Sequence, residues 1–196
     1  MSCLKNKLGI YGVKLSRRHF IRFVFFSGLV SLSPSTVLGA VSNCISPEKS
    51  LSLYNPITKE SLNTVYWSNG KYVKKALTDI NHIMRDQRTG EIKPIDTRLV
   101  DLLHATGMKL KIQEPFHVIS GYRSRKTNEL LRKRCKNAAR NSFHIQGKAV
   151  DIRLPGYRLS SLRRIVIKLG GGGVGYYPHS RFIHIDVGPV RYWSSR

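Results

Sequence analysis

Carboxylates are scarce in this chain of 196 residues: 11 aspartates and glutamates stand against 34 lysines and arginines, for a formal net charge of +23. That imbalance favours a polyanionic partner, and nucleic acid, anionic lipid and an anionic cell envelope all qualify. Long apolar runs are also missing. The best candidate, Phe23 to Leu32, falls short of the ~20 apolar residues that a spanning helix needs. The cluster Gly170 to Gly173 is not followed by Lys-Ser or Lys-Thr, which argues against a phosphate loop and for a flexible turn between helix and strand. There is no internal repeat, and no regular βαβ alternation. What remains is a one-domain length whose 41% hydrophobic content suffices for a single packed core.

The front of the chain reads differently from the rest. Ser16-Arg17-Arg18-His19-Phe20-Ile21-Arg22 precedes the apolar run, and the small residues Ser33, Ser35, Gly39 and Ala40 follow it, the order of an export signal. Adjacent arginines before an apolar segment resemble the twin-arginine signal, a receptor-read address for folded proteins. The resemblance implies the twin-arginine export machinery as a partner and a periplasmic destination; an uncleaved membrane anchor is the alternative. We therefore divide the chain into an export signal at 1–40, cut between Gly39 and Asn43, a linker at 41–50, and a functional domain at 51–196. Asn43 before Cys44 is not the small residue a lipoprotein cysteine requires, so lipidation is not expected. Cleavage removes six cations and no acid, Lys5, Lys7, Lys14, Arg17, Arg18 and Arg22, and leaves the mature domain strongly basic. Export sets nucleic acid aside as a partner. It also leaves Cys44 and Cys135 as a pair that an oxidising compartment could join, a question left open by the loose stretch around Cys44.

Apolar periodicity outlines the domain. Leu51 to Tyr54 and Leu62 to Trp67 read as a hairpin around a Pro-containing turn. Helical stripes run through Tyr72 to Met84 and Leu99 to Leu110. A strand at Phe116 to Ile119 ends in Ser120-Gly121-Tyr122-Arg123, and a basic helix follows over Lys126 to Lys136. Ala149 to Leu154 reads as a strand, Leu159 to Leu169 as a helix, and Arg181 to Val187 as the closing strand. This mixture predicts an α+β fold with a mainly antiparallel sheet and flanking helices.

Two of these strands carry the chemistry. In Arg181 to Val187, side-chain alternation puts Phe182, His184 and Asp186 on one face and Ile183, Ile185 and Val187 on the other. In Ala149 to Leu154, Asp151 shares a face with Ala149, and Gly147 lets the chain bend so that His144 can swing toward Asp151. His144, Asp151 and His184 then make a set of two nitrogens and one oxygen, the kind that leaves zinc a fourth position for water. Asp186, two residues past a ligand and on its face, is positioned to shuttle protons.

The pattern Ser142-x-His144-x-x-Gly147-x-Ala149-x-Asp151, with His184 in a strand ending at Asp186, resembles the zinc peptidases of the lysostaphin, D-Ala-D-Ala metallopeptidase and hedgehog group. Within it, the segment Gly172 to Trp193 and the opening Leu51 to Asn55 resemble the YcbK-like murein endopeptidases, over roughly residues 50–193. The resemblance implies a D-Ala-D-Ala metallopeptidase/hedgehog-like fold, zinc on His144, Asp151 and His184, and cleavage of peptide bonds in peptidoglycan. It also implies that Arg123 reaches the substrate carbonyl or the tetrahedral oxyanion, and that Ser142 lies near the substrate. We add Tyr177 as a substrate contact from its place beside the closing strand.

One departure stands out. Related dipeptidases and carboxypeptidases carry a glutamate three residues before the last histidine ligand, and here that residue is Arg181. Asp186 is the replacement base we expect, with His179 behind it. Two alternatives stay open: a non-catalytic, zinc-containing peptidoglycan-binding module, and a D-Ala carboxypeptidase. His82, His104 and His117 read as structural or surface residues. Tyr176, Tyr192 and Trp193 are further candidates for a substrate groove. The cations densest from Arg123 to Arg140 form a solvated face that could hold the protein against an anionic envelope surface.

Overall fold

In the segment Lys49–Tyr54, Leu51 and Leu53 alternate with exposed or half-buried neighbours and enter the core, which makes this segment the first strand, β1. The computed structural model describes residues 48–134 and 139–195. The expected export signal, its cleavage region, most of the expected linker, and both Cys44 and Cys135 lie outside the described residues.

Strand β2 (Ser61–Ser68) returns antiparallel to β1, with Leu53 opposite Leu62 and Ser52 opposite Asn63. The Asn55 carboxamide oxygen accepts the backbone N–H groups of Ile57 and Thr58 at 3.0 and 3.2 Å, an Asx turn around Pro56. Strand β3 (Lys71–Tyr72) was not expected. It follows Asn69-Gly70, both left-handed with φ of 52° and 74°, the signature of a two-residue hairpin turn.

Helix α1 (Lys74–Ile83) buries Ala76, Ile80 and Ile83. Helix α2 (Thr97–Leu110) is capped by Asp96, whose side chain accepts the N–H of Arg98 at 3.0 Å, and its inner stripe includes Leu99, Val100 and Leu103. Asp101 on α2 takes bonds from Lys49, Tyr66 and Tyr72 at 2.9, 3.0 and 2.6 Å, which ties the first three strands to the helix. After β4 (Phe116–Ser120) come helix α3 (Arg125–Arg134), a 3-10 turn (Phe143–Gln146), β5 (Ala149–Arg153) and α4 (Leu159–Leu169). The final residues of the expected basic helix fall outside the described segment.

The end of the chain differs most from expectation. Strand β6 (Gly173–Tyr177) starts inside the glycine cluster, β7 (Phe182–Asp186) follows, and β8 (Arg191–Ser194) closes the chain. The cluster is thus a turn only as far as Gly172, which sits at φ 157°.

The eight strands of the described residues form one sheet in the order β3-β2-β1-β4-β5-β7-β6-β8. Pairing is antiparallel except between β1 and β4 and between β6 and β8. The fold is α+β, as expected, with a mostly antiparallel mixed sheet.

The sheet's two faces have separate tasks. Val118, Val150, Ile152, Ile183 and Ile185 are all fully buried, in one core with Leu99, Leu103, Leu162 and Val166 of α2 and α4. Each such side chain contributes roughly 1.5–3 kcal/mol on leaving water. The opposite face carries one transverse row: Ser120 pairs with Asp151, Asp151 with His184, His184 with Gly175, and Gly175 with Trp193. A one-residue slip of β7 would turn His184 into the core and Ile183 out of it, so apolar burial fixes the register of the polar row. Among the described residues no helix is long and apolar enough to cross a membrane.

Candidate active site

His144 is held from both ends of its 3-10 turn. Ser142 caps the turn, its hydroxyl accepting the His144 N–H at 3.3 Å, and Gly147 ends it at φ 68°. A side chain on Gly147 would run into the carbonyl of Pro94, so only glycine fits. The His144 Nδ1–H donates to the Gly121 carbonyl at 2.7 Å, and a carbonyl only accepts, so the tautomer is fixed with a bare Nε2. Gly121 is itself required, because a Cβ there would strike the Met84 carbonyl.

His184 is fixed from its outer side. Its Nε2–H donates to Asp186 Oδ2 at 3.1 Å, leaving Nδ1 for the inner side. His144 Nε2, His184 Nδ1 and Asp151 Oδ1 then form a triangle with sides of 3.1, 2.9 and 3.3 Å. A tetrahedral site with bonds of about 2.0–2.1 Å has edges of roughly 3.3 Å. Three such atoms so close in a buried place need a positive charge among them, either a proton on His184 Nδ1 or a metal ion. The donor set therefore fits a divalent metal, and these three residues could hold one.

Charge in the site follows from the same neighbours. Burial pushes the Asp151 carboxyl up, but the adjoining His144 and His184 imidazoles outweigh it and hold the group far below the usual carboxylate range. Burial pushes His144 down. His184 feels burial too, yet the carboxylates of Asp151 and Asp186 on its two nitrogens raise it to about 9.

A cleft of about 470 Å³ opens over the triangle. Arg123 enters it with Nη2 3.6 Å from Asp151 Oδ2 and 3.3 Å from the Ser120 hydroxyl, to which it donates. Its backbone N–H donates to the His144 carbonyl at 3.2 Å, so Arg123 and the histidine turn move together. Trp193 lies against His184, ring centroids 5.3 Å apart, and its Nε1–H donates to the Tyr177 hydroxyl at 2.9 Å. Gly175 makes room for that indole, since a Cβ would come within 2.6 Å of it. Tyr177 in turn stacks on Phe182 at 4.6 Å.

His144, Asp151, His184, Arg123, Ser142 and Tyr177 all line this cleft, and Trp193 of the further groove candidates lines it too. Asp186 does not, and its geometry is unlike that of a proton shuttle. The residue is fully buried. Its Oδ1 accepts from the backbone N–H groups of Gly173 and Gly188 and from Arg191, and its Oδ2 from Arg191 and His184. Burial raises its pKa, but the bonds from His184, Arg191 and Gly188 prevail and hold it well below the ordinary range. Such a carboxylate orients His184 and has no oxygen facing substrate. His179 is exposed in the turn after β6, away from the cleft. Arg181 has φ 55° and lines a separate cavity with His117 and Arg153.

Among the described residues Asp151 is the one carboxylate lining the cleft. Tyr176 turns to the other face, under Arg163, and Tyr192 is exposed. His82 approaches Glu60, His104 donates to the Ser50 carbonyl, and His117 packs on Tyr54, so none of the three reaches the site. Arg191 escaped sequence reasoning; the available signal was a lone cation in a short segment after Gly188-Pro189.

Comparison with known proteins adds the family. Residues 44–193 match a peptidase M15 family model described as peptidoglycan L,D-endopeptidase MepK. The chain is 41% identical over 143 residues to the peptidoglycan L,D-endopeptidase MepK of Escherichia coli (strain K12), covering 73% of this chain and 79% of that protein. It is 37% identical over 166 residues to the probable peptidoglycan L,D-endopeptidase MepK of Haemophilus influenzae, covering 84% and 88%. Both the extent of the family match and these identities exceed what fold similarity alone produces, and the chain belongs to the MepK family of M15 peptidases.

Proposed function

We propose that this protein is a zinc-dependent peptidoglycan L,D-endopeptidase that works in the periplasm after twin-arginine export. The observation that carries the reading is the convergence of His144 Nε2, Asp151 Oδ1 and His184 Nδ1 to within 3.3 Å of one another. The names of the relatives supply the bond class, which the residue pattern does not encode. The same reading takes the sheet and its flanking helices as a D-Ala-D-Ala metallopeptidase/hedgehog-like scaffold.

Zinc on these three atoms, with a fourth position open, would supply a Lewis acid for the scissile carbonyl and lower the pKa of a water molecule. The chain's own groups do the rest. Trp193, Tyr177 and Phe182 form an apolar wall that seats the peptide and excludes bulk water. Ser142 offers a hydroxyl at the rim. Arg123 directs a fixed cation at the oxygen where charge develops as the carbonyl becomes tetrahedral. Asp151 Oδ2, outside the ligand triangle, lies 3.6 Å from Arg123 Nη2 and holds that cation toward the cleft. Asp186, held by Arg191, keeps His184 in the tautomer that presents Nδ1. The basic surface would draw the protein to the anionic envelope.

A second reading, a zinc-containing peptidoglycan-binding module without activity, is favoured by the lack of a second carboxylate in the cleft among the described residues. Digestion of purified murein with and without chelator, with products resolved by mass, separates the two. Chelator-sensitive loss of L,D-cross-linked dimers supports the endopeptidase. Dimers left intact by zinc-loaded protein that still sediments with sacculi would replace it with the module.

A further inference from the structure

Helix α3 presents Arg125, Glu129, Arg132 and Lys133 at spacings of four, three and one residues, which puts them on one helical stripe. The stripe is exposed and faces a cavity of about 450 Å³, completed by Arg140. Four cations line the space with one acid, and among the described residues none of the four cations makes an ion pair.

The arrangement is anchored. Asn128, 2% exposed, donates from Nδ2 to the carbonyls of Ala139 and Arg140 at 3.1 and 3.4 Å. That clamp ties the backbone at Ala139 and Arg140 to the helix. The helix start is fixed as well, since the buried Asp86 carboxylate accepts the Ser124 N–H at 2.8 Å. The space also adjoins the catalytic cleft, because Asn141 lines both and Ser142, the next residue, caps the turn of His144.

Cations collected around an anchored hollow beside a peptide cleft suit a carboxylate. Guanidinium groups pair with carboxylates in bidentate fashion, and such charge-assisted bonds are the stronger class. We infer that the cavity between α3 and Arg140 is a subsite for a free carboxylate of the peptide substrate. This rests on reading the protein as a peptidoglycan peptidase, and deepens it. The diffuse cationic surface then becomes a specificity element, one that distinguishes free-acid from amidated cross-linked peptides.

The test compares the full chain with its Arg132→Gln/Arg140→Gln variant. Two cross-linked muropeptides serve as probes, one with free carboxylates and one with them amidated, and both equilibrium binding and cleavage are measured. The parent is expected to bind the free acid about tenfold more tightly than the amide, the size of one charge-assisted bond. The variant is expected to lose that preference while keeping the parent's zinc affinity. A parent that binds both peptides equally, or a variant that keeps the preference, overturns the subsite. So does a variant whose sole defect is weaker binding to phosphatidylglycerol vesicles, which would make this a lipid-facing surface. A parent that prefers the free acid yet cuts neither peptide would keep the subsite and remove the peptidase reading.

Discussion

Asp186 receives the His184 Nε2–H at 3.1 Å and the Arg191 guanidinium at 2.7 Å on the same oxygen, Oδ2. The carboxylate thus stands behind His184 and decides which imidazole nitrogen faces His144 and Asp151. Asp186→Asn removes the charge and leaves the amide free to turn its NH2 toward His184, where it would favour the wrong tautomer. Outer partners of this kind are worth about 10–100-fold in metal affinity, and we expect a loss of that size in competition against a chromophoric chelator. Had Asp186 been the proton shuttle, activity would fall with zinc affinity unchanged.

Metal loading should register in stability, because the three ligand atoms gather only in the folded chain. Free zinc at about a hundred times its dissociation constant adds about 2.7 kcal/mol, which for a domain of this size raises Tm on the order of 5–10 °C. Differential scanning calorimetry with and without zinc checks this, and chelator should reverse the gain. His144→Ala removes a nitrogen from the triangle and should abolish the zinc-dependent shift. An equal shift in that variant would place the metal elsewhere.

Acid stability should depend on Asp86. Burial raises its pKa, but bonds from Thr127, Arg88 and Ser124 outweigh burial and lower it from 3.8 to about 2. A carboxyl depressed by folding stabilises in full above its unfolded value and loses that contribution as pH falls through the folded one. The contribution, about 2 kcal/mol, should therefore be present above pH 4 and disappear between about 4 and 2. Urea titrations over this range should show a steep acid limb in the parent and a flatter one in Asp86→Asn. The variant should also be less stable at neutral pH.

The grouping of His144, Asp151 and His184 was legible because each clue is local. His144, Gly147 and Asp151 lie within eight residues, and alternation in β7 puts His184 opposite its apolar neighbours. The helices and five of the strands were legible from the same periodicities. What sequence could not display is long-range. Strand β6 is read as a turn because it opens with glycine, yet its glycines are small for tertiary reasons: a Cβ on Gly173 would meet Asp186 Oδ2 at 2.5 Å, and one on Gly175 would meet Trp193. Strand β8 pairs parallel to β6 and has only four residues, so nothing nearby announces it. Without β8 there is no Arg191 beside Asp186, and an aspartate on the ligand face looks like a base. The Asn69-Gly70 turn is a local signal, but the strand after it has only two residues, Lys71 and Tyr72.

Gly175 offers a direct check on the aromatic wall. Gly175→Ala should push the indole away from His184, weaken substrate binding by up to about tenfold in KM, in line with the ~0.5–1.5 kcal/mol of one aromatic contact, and shift Trp193 fluorescence, while zinc affinity changes little. Unchanged fluorescence and KM would mean that Trp193 does not seat the peptide.

Arg123 separates positioning from charge. Its backbone N–H, bonded to the His144 carbonyl at 3.2 Å, survives any side-chain change, so Arg123→Gln removes the cation while the histidine turn stays anchored. Donors aimed at a developing oxyanion are worth about 10²–10³ in kcat, and we expect a loss of that order with KM within a few-fold of the parent. Arg123→Lys keeps the charge on a shorter, single-headed group and should recover part of kcat. A loss that appears wholly in KM, with kcat intact, would instead assign Arg123 to ground-state binding. A parallel loss of zinc affinity would mean that its 3.6 Å approach to Asp151 Oδ2 serves to hold the ligand.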